Sequence, residues 1–126
     1  MQKLLLLGDE AIAQGAIDAG ISGVYAYPGT PSTEITEYIQ ASKEAKERDI
    51  KSQWSSNEKT AMETAIGMSY AGKKALVCMK HVGLNVAADA FVNSAIFAEC
   101  TKPNPIKGKT PITCQPKNTN NIVNTQ

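Results

Sequence analysis

The strongest constraint on this chain is the alternation of two kinds of segment along its first hundred residues. Asp9 is placed to cap a helix over 10–19, with Ile12, Ala16 and Ala19 on one face and Gly20 at its end. Gly23 to Tyr27 then reads as a strand. Thr30 is placed to cap a second helix with Pro31 at its first position, Ile35, Tyr38 and Ile39 on its apolar face, and the mixed charges of 43–49 as its solvated end. Lys51 to Ser55 reads as a strand with Trp54 inward, and Ser56-Asn57-Glu58 opens a third helix that runs through Ala71 on Ala61, Ala65, Met68 and Ala71. Gly72-Lys73-Lys74 ends it, the two lysines favouring its negative terminus. Ala75 to Met79 is a near-continuous apolar strand, the pattern of burial on both faces, and a last helix runs from about Leu84 to Ala98.

Each parallel pair of strands needs a crossover, so helix and strand in strict alternation predict an α/β fold: a parallel sheet flanked by helices. Ligands in such sheets sit outside the carboxyl ends of the strands. Three loops meet that condition: 27–33, 55–59 and 80–85.

The pattern ends near residue 98. Residues 1–100 hold nine bases against twelve acids, whereas 101–126 hold four lysines and no acid, in runs of Thr, Asn and Pro with few apolar residues. Such a stretch buries too little to offset its ordering entropy. The expected organisation is therefore a folded part over 1–98 and a polar, Lys/Asn/Thr/Pro-rich tail over 99–126. The whole-chain charge of +1 argues against a basic nucleic-acid binder. No apolar run approaches the roughly 20 residues of a membrane helix, so a soluble cytoplasmic protein is expected. Cys78, Cys100 and Cys114 form no Cys-x-x-Cys pair, which argues against a disulfide framework, a zinc site or an iron–sulfur site, and Cys78 reads as a buried reduced thiol.

Several motifs have ordinary readings. Gly67 to Lys74 matches a phosphate loop until its last position, which lacks the Ser or Thr, and it runs from helix to strand rather than strand to helix. Ser55-x-x-Glu58 fits a capping box, and local sequence favours that reading of Glu58. Thr30 to Thr33 reads as a capped helix start, although free amides and hydroxyls there also suit a substrate carboxylate. His81, the single histidine, lies in a loop where a solvated or hydrogen-bonded role is the common one.

Three blocks, Tyr27-Pro28-Gly29-Thr30-Pro31-Ser32-Thr33-Glu34-Ile35, Asn57-Glu58-Lys59-Thr60-Ala61-Met62-Glu63 and Met79-Lys80-His81-Val82-Gly83-Leu84-Asn85-Val86-Ala87-Ala88-Asp89, resemble in order and spacing the start of the alpha subunit of indolepyruvate ferredoxin oxidoreductases. These are thiamine diphosphate-dependent 2-oxoacid oxidoreductases. The resemblance covers residues 1 to about 97 and implies a pyrimidine-binding domain, with a parallel sheet flanked by helices. It also implies that Glu58 is the catalytic and cofactor-binding carboxylate, which displaces the cap-only reading. A carboxyl group on the ring nitrogen favours the imino tautomer, whose exocyclic nitrogen takes the thiazolium proton. By the same match, Gly83 and Asn85 border the cofactor, Gly83 by letting backbone approach the ring, while Thr30 and His81 contact substrate.

The resemblance implies partners as well: the diphosphate-binding domain of a full-length alpha subunit, a beta subunit and ferredoxin. Magnesium and iron–sulfur clusters belong to the full-length family and are not expected on this chain, for which no metal ligand is assigned. The abrupt change after Phe97 suggests truncation or a frameshift, an incomplete sheet with an exposed edge, and no turnover by the chain alone. A non-catalytic binding or dimerisation module and a non-functional truncated product stay open as alternatives.

Overall fold

The computed structural model describes residues 5–97. The polar stretch 99–126, with Cys100 and Cys114, lies outside the described residues. In chain order the elements are α1 (Gly8–Asp18), β1 (Gly23–Ala26), α2 (Thr33–Ala41), α3 (Lys43–Glu47), β2 (Lys51–Trp54), α4 (Glu58–Tyr70), β3 (Ala75–Cys78), α5 (Gly83–Val86) and α6 (Ala88–Phe97). The three strands form a parallel sheet in the order β2-β1-β3. Gly23 pairs with Lys51 on one side and Ala75 on the other, and Ala26 with Trp54 and Cys78, so the carboxyl ends finish level.

The central strand explains the two-sided core. All of Gly23–Ala26 is buried, and because side chains alternate, Val24 and Ala26 enter one cluster while Tyr25 enters the other. The first cluster lies under α1 and α2 and includes Ala13, Ile17, Ile39, Ala45 and Cys78, with Trp54 packed against it. The second lies under α4, where Ala61 and Ala65 pack on Tyr25 with Met68 and Val77 alongside. β3 contributes Leu76 and Cys78 to the first and Ala75 and Val77 to the second, as its apolar run implied. Only Cys78 is fully buried there, because β3 has a strand neighbour on one side alone among the described residues.

Several local expectations are corrected. α1 starts at Gly8 after Leu7, not at an Asp9 cap, because the Glu10 carboxylate accepts the Leu7 N–H at 2.9 Å. Its inner face is Ala13, Ala16 and Ile17 rather than Ile12, Ala16 and Ala19. Gln14, on the same side, accepts the Tyr38 hydroxyl and donates to Glu44, which orients α1 on α2 and leaves Ile12 exposed.

Thr30 does not cap α2, and Pro31 lies before it: a turn with a cis Thr30–Pro31 peptide precedes the helix at Thr33. The charged end of that helix is a separate element, α3, because Ser42 is extended and its hydroxyl accepts the Ala45 N–H. Gly20 and Gly72 close α1 and α4 at φ of 78° and 75°, a region that penalises any side chain. Lys74 does not serve α4, however. Its ammonium donates to the Ala19 carbonyl at 2.9 Å and Arg48 donates to the Ile17 carbonyl at 2.7 Å, so both cations satisfy the end of α1. The expected single last helix is divided at Ala87, which is fully buried against the rest of the fold. No helix among the described residues is long and apolar enough to cross a membrane.

Candidate functional site

α1 and α2 pack together on one face of the sheet, whereas α4 packs on the other with α6 against α4. β1 therefore leads to the first face and β3 to the second, and their outgoing loops diverge above the β1/β3 boundary. In α/β sheets, ligands bind outside the carboxyl ends of the strands at such a boundary. The two loops meet closely: a Cβ on Gly29 would stand 3.6 Å from Cβ of Lys80.

The wall from β1 is held by its own polar groups. Gly29 N–H donates to Oγ1 of Thr33 at 2.9 Å, and the Ser32 hydroxyl donates to the Gly29 carbonyl at 2.8 Å. Ser32 and Thr33 thus shape the loop, leaving the exposed Thr30 hydroxyl outside that pair of bonds.

β2 supplies the carboxylate. Ser55 N–H extends the ladder to the Ala26 carbonyl at 2.7 Å, after which Asn57 is fully extended, with φ of −161°. Oδ1 of Asn57 accepts the Thr60 N–H at 2.8 Å and the Thr60 hydroxyl at 3.0 Å. The predicted Ser55–Glu58 capping box is therefore absent: Asn57 is the cap, and Ser55 Oγ is buried without a partner among the described residues. Glu58 becomes the first residue of α4, with its carboxylate spared from capping. Among the described residues no hydrogen bond or ion pair engages that carboxylate.

The carboxylate turns toward α5. A Cβ built on Gly83 would lie 2.6 Å from Glu58 Oε1, 2.8 Å from Cγ and 3.0 Å from Cδ. Gly83 is buried, and its N–H donates to the Lys80 carbonyl at 2.8 Å. Of the residues selected from sequence, the structure thus brings Glu58 and Gly83 into contact and puts Thr30 on the facing β1 loop. His81 lies exposed in the turn before α5 and Asn85 exposed on α5, and no described hydrogen bond joins either to Glu58.

Sequence reasoning missed the tie beside this contact. Nζ of Lys59 donates to Oδ2 of Asp89 at 2.7 Å, fastening the start of α4 to the start of α6. The hydrogen bond holds the Asp89 carboxyl below the ordinary carboxylate value and the Lys59 ammonium above its own. The 30-residue separation gave no local signal. Two grooves of about 510 and 420 Å³ lie elsewhere, the first between α4 and β3 and the second between α4 and α6. Among the described residues, no group of three or more His, Cys, Asp or Glu is arranged to hold a metal.

A small parallel sheet covered by helices, with a carboxylate free of capping at its carboxyl edge, defines an α/β domain. The chain belongs to the family of thiamine diphosphate-binding domains of pyruvate flavodoxin/ferredoxin oxidoreductases, matched over residues 14–97. Its parallel sheet with flanking helices is the pyrimidine domain of that family. Among curated relatives, indolepyruvate oxidoreductase subunit IorA of Thermococcus kodakarensis is 50% identical over 93 residues, which is 74% of this chain and 14% of the relative. The IorA subunit of Archaeoglobus fulgidus is 50% identical over 96 residues, 75% of this chain and 15% of that one. That of Methanothermobacter marburgensis is 45% identical over 93 residues, 74% and 15% respectively. The chain thus spans about one-seventh of the length of these relatives, which are named as subunits of a larger oxidoreductase. No solved structure matches it.

Proposed function

We propose that this chain provides the pyrimidine-binding part of a thiamine diphosphate-dependent oxidoreductase that converts an aryl 2-oxoacid, indolepyruvate, to its acyl-CoA and passes the electrons to ferredoxin. The observation that carries this reading is the Glu58 carboxylate, freed by the Asn57 cap and standing at the carboxyl edge of the sheet. Such a group fits an aminopyrimidine, whose ring nitrogen gives it the polar partner it otherwise lacks. When bound, thiamine diphosphate supplies the electron sink for loss of carbon dioxide. The Glu58 carboxyl group would hold a proton at the ring nitrogen and orient the ring. Gly83 and Asn85 would border the cofactor, while Thr30 and His81 would contact substrate from the neighbouring loops.

The diphosphate and its magnesium fall to a separate diphosphate-binding domain in this reading. Iron–sulfur clusters, a beta subunit and ferredoxin complete the electron path, in the cytoplasm, and the chain alone gives no turnover. The names of the IorA relatives support the substrate class. The family match over 14–97 supports a binding unit within 1–98, with the polar 99–126 outside it. The test is calorimetry with magnesium and thiamine diphosphate, on the chain alone and mixed with a beta subunit. Binding weakened about 10- to 100-fold by Glu58→Ala, the scale of a hydrogen bond to a charged group, is the expected result. Equal heats from wild type and Glu58→Ala would refute it.

A further inference from the structure

The closest neighbours of the missing Gly83 side chain are three atoms of one residue. Oε1, Cγ and Cδ of Glu58 all lie within 3.0 Å of where a Cβ would stand. A real Cβ tolerates no heavy atom at 2.6 Å, so an alanine at 83 and the present position of the carboxylate exclude each other. The backbone itself does not require glycine, because Gly83 lies outside the left-handed region and forms the first residue of α5. Chain conformation therefore leaves residue 83 open to a side chain, and the nearest obstacle to one is Glu58.

The neighbourhood makes this contact firm. Gly83 N–H donates to the Lys80 carbonyl, the Gly83 carbonyl accepts the Ala87 N–H at 3.1 Å, and Ala87 is fully buried. The Lys59–Asp89 bond then clamps the base of α4 to the start of α6. α5 is held at its two ends by the buried Gly83 and Ala87, and Glu58, at the base of α4, folds over it half-buried instead of extending into solvent. We propose that Gly83 is a positioning residue that acts through Glu58: the space left by its absent side chain sets where the carboxylate stands. This rests on the cofactor reading above, in which that carboxylate meets the aminopyrimidine. It assigns to Gly83 a role in aiming the acid, beside its place at the border of the cofactor.

Four versions of the full 126-residue chain test it: wild type, Gly83→Ala, Glu58→Ala and the double variant. Each is measured by urea unfolding and by amide NMR during titration with millimolar thiamine, which carries the aminopyrimidine without the diphosphate. Gly83→Ala should lower the folding constant about tenfold or more in the wild-type background, the scale of an overpacked site, and less than twofold in the Glu58→Ala background. It should weaken thiamine binding as much as Glu58→Ala does, and the double variant should bind no worse than Glu58→Ala alone. Should Gly83→Ala fail to fold, refolding in the double variant supports the proposal, and failure of the double variant to fold overturns it. Equal destabilisation in both backgrounds, or wild-type thiamine binding by Gly83→Ala beside weakened binding by Glu58→Ala, overturns the positioning role while the cofactor reading stands. Unchanged binding by Glu58→Ala instead defeats the cofactor reading, and the proposal with it.

Discussion

Replacing Asn57 by alanine tests how α4 is started, and hence why Glu58 is free. Oδ1 of Asn57 takes two donors from Thr60, the amide at 2.8 Å and the hydroxyl at 3.0 Å. Loss of a side-chain cap costs about 1–2 kcal/mol, and in a domain of this size the urea midpoint falls by about 0.5–1 M at an ordinary slope. Asn57→Asp keeps the acceptor and should hold the midpoint. Ser55→Ala is the informative partner. Its hydroxyl is buried without a partner among the described residues, so its removal should leave stability unchanged or raise it. Parallel urea titrations followed by far-ultraviolet circular dichroism give both numbers. A loss for Ser55→Ala equal to that for Asn57→Ala would mean that the Ser55–Glu58 box is the true cap and that Glu58 is engaged in it.

Two further outcomes follow from the packing and the charges. Ile17 is fully buried while Ile12, on the same helix, is 54% exposed; Ile17→Ala should cost about 2–5 kcal/mol and Ile12→Ala less than about 0.5 kcal/mol, and equal costs would refute the face assigned to α1. The Asp89 carboxyl is held below its ordinary 3.8 chiefly by Lys59, so its contribution to stability is present above that pH and fades as pH falls through the lowered folded value. Thermal melts between neutral pH and pH 2 should therefore show a shallower acid limb for Asp89→Asn, and a smaller difference from wild type in high salt.

The sheet was legible because its central strand is buried on both faces and sharp turns bound the elements. Gly20 and Gly72 do end helices at positive φ, and 23–26, 51–54 and 75–78 fall within the expected strands. The order β2-β1-β3 was not legible, since it is fixed by which helix covers which face rather than by any local pattern. The face of α1 differs from the expected one because Ala and Ile occur on both sides of it, and contacts of Gln14 with Tyr38 of α2 and Glu44 of α3 decide between them. The break at Ala87, a fully buried residue, carries no Gly or Pro to mark it. At the site, the resemblance selected Glu58, while local sequence offered Ser55 as the cap, a place that the geometry gives to Asn57. Glu58 and Gly83 meet across 24 intervening positions, and the contact has no sequence signature of its own.

The two cations at the end of α1 link distant parts of the chain. Arg48 stands just ahead of β2 and Lys74 just ahead of β3, the two strands that flank β1, and both donate to carbonyls at the end of the helix that leads into β1. All three strands are therefore tethered to one helix terminus at their amino ends, while their carboxyl ends finish in loops. Opening of α1 would release both flanking strands together, so amide hydrogens at the amino-terminal end of the sheet should exchange as one cooperative unit.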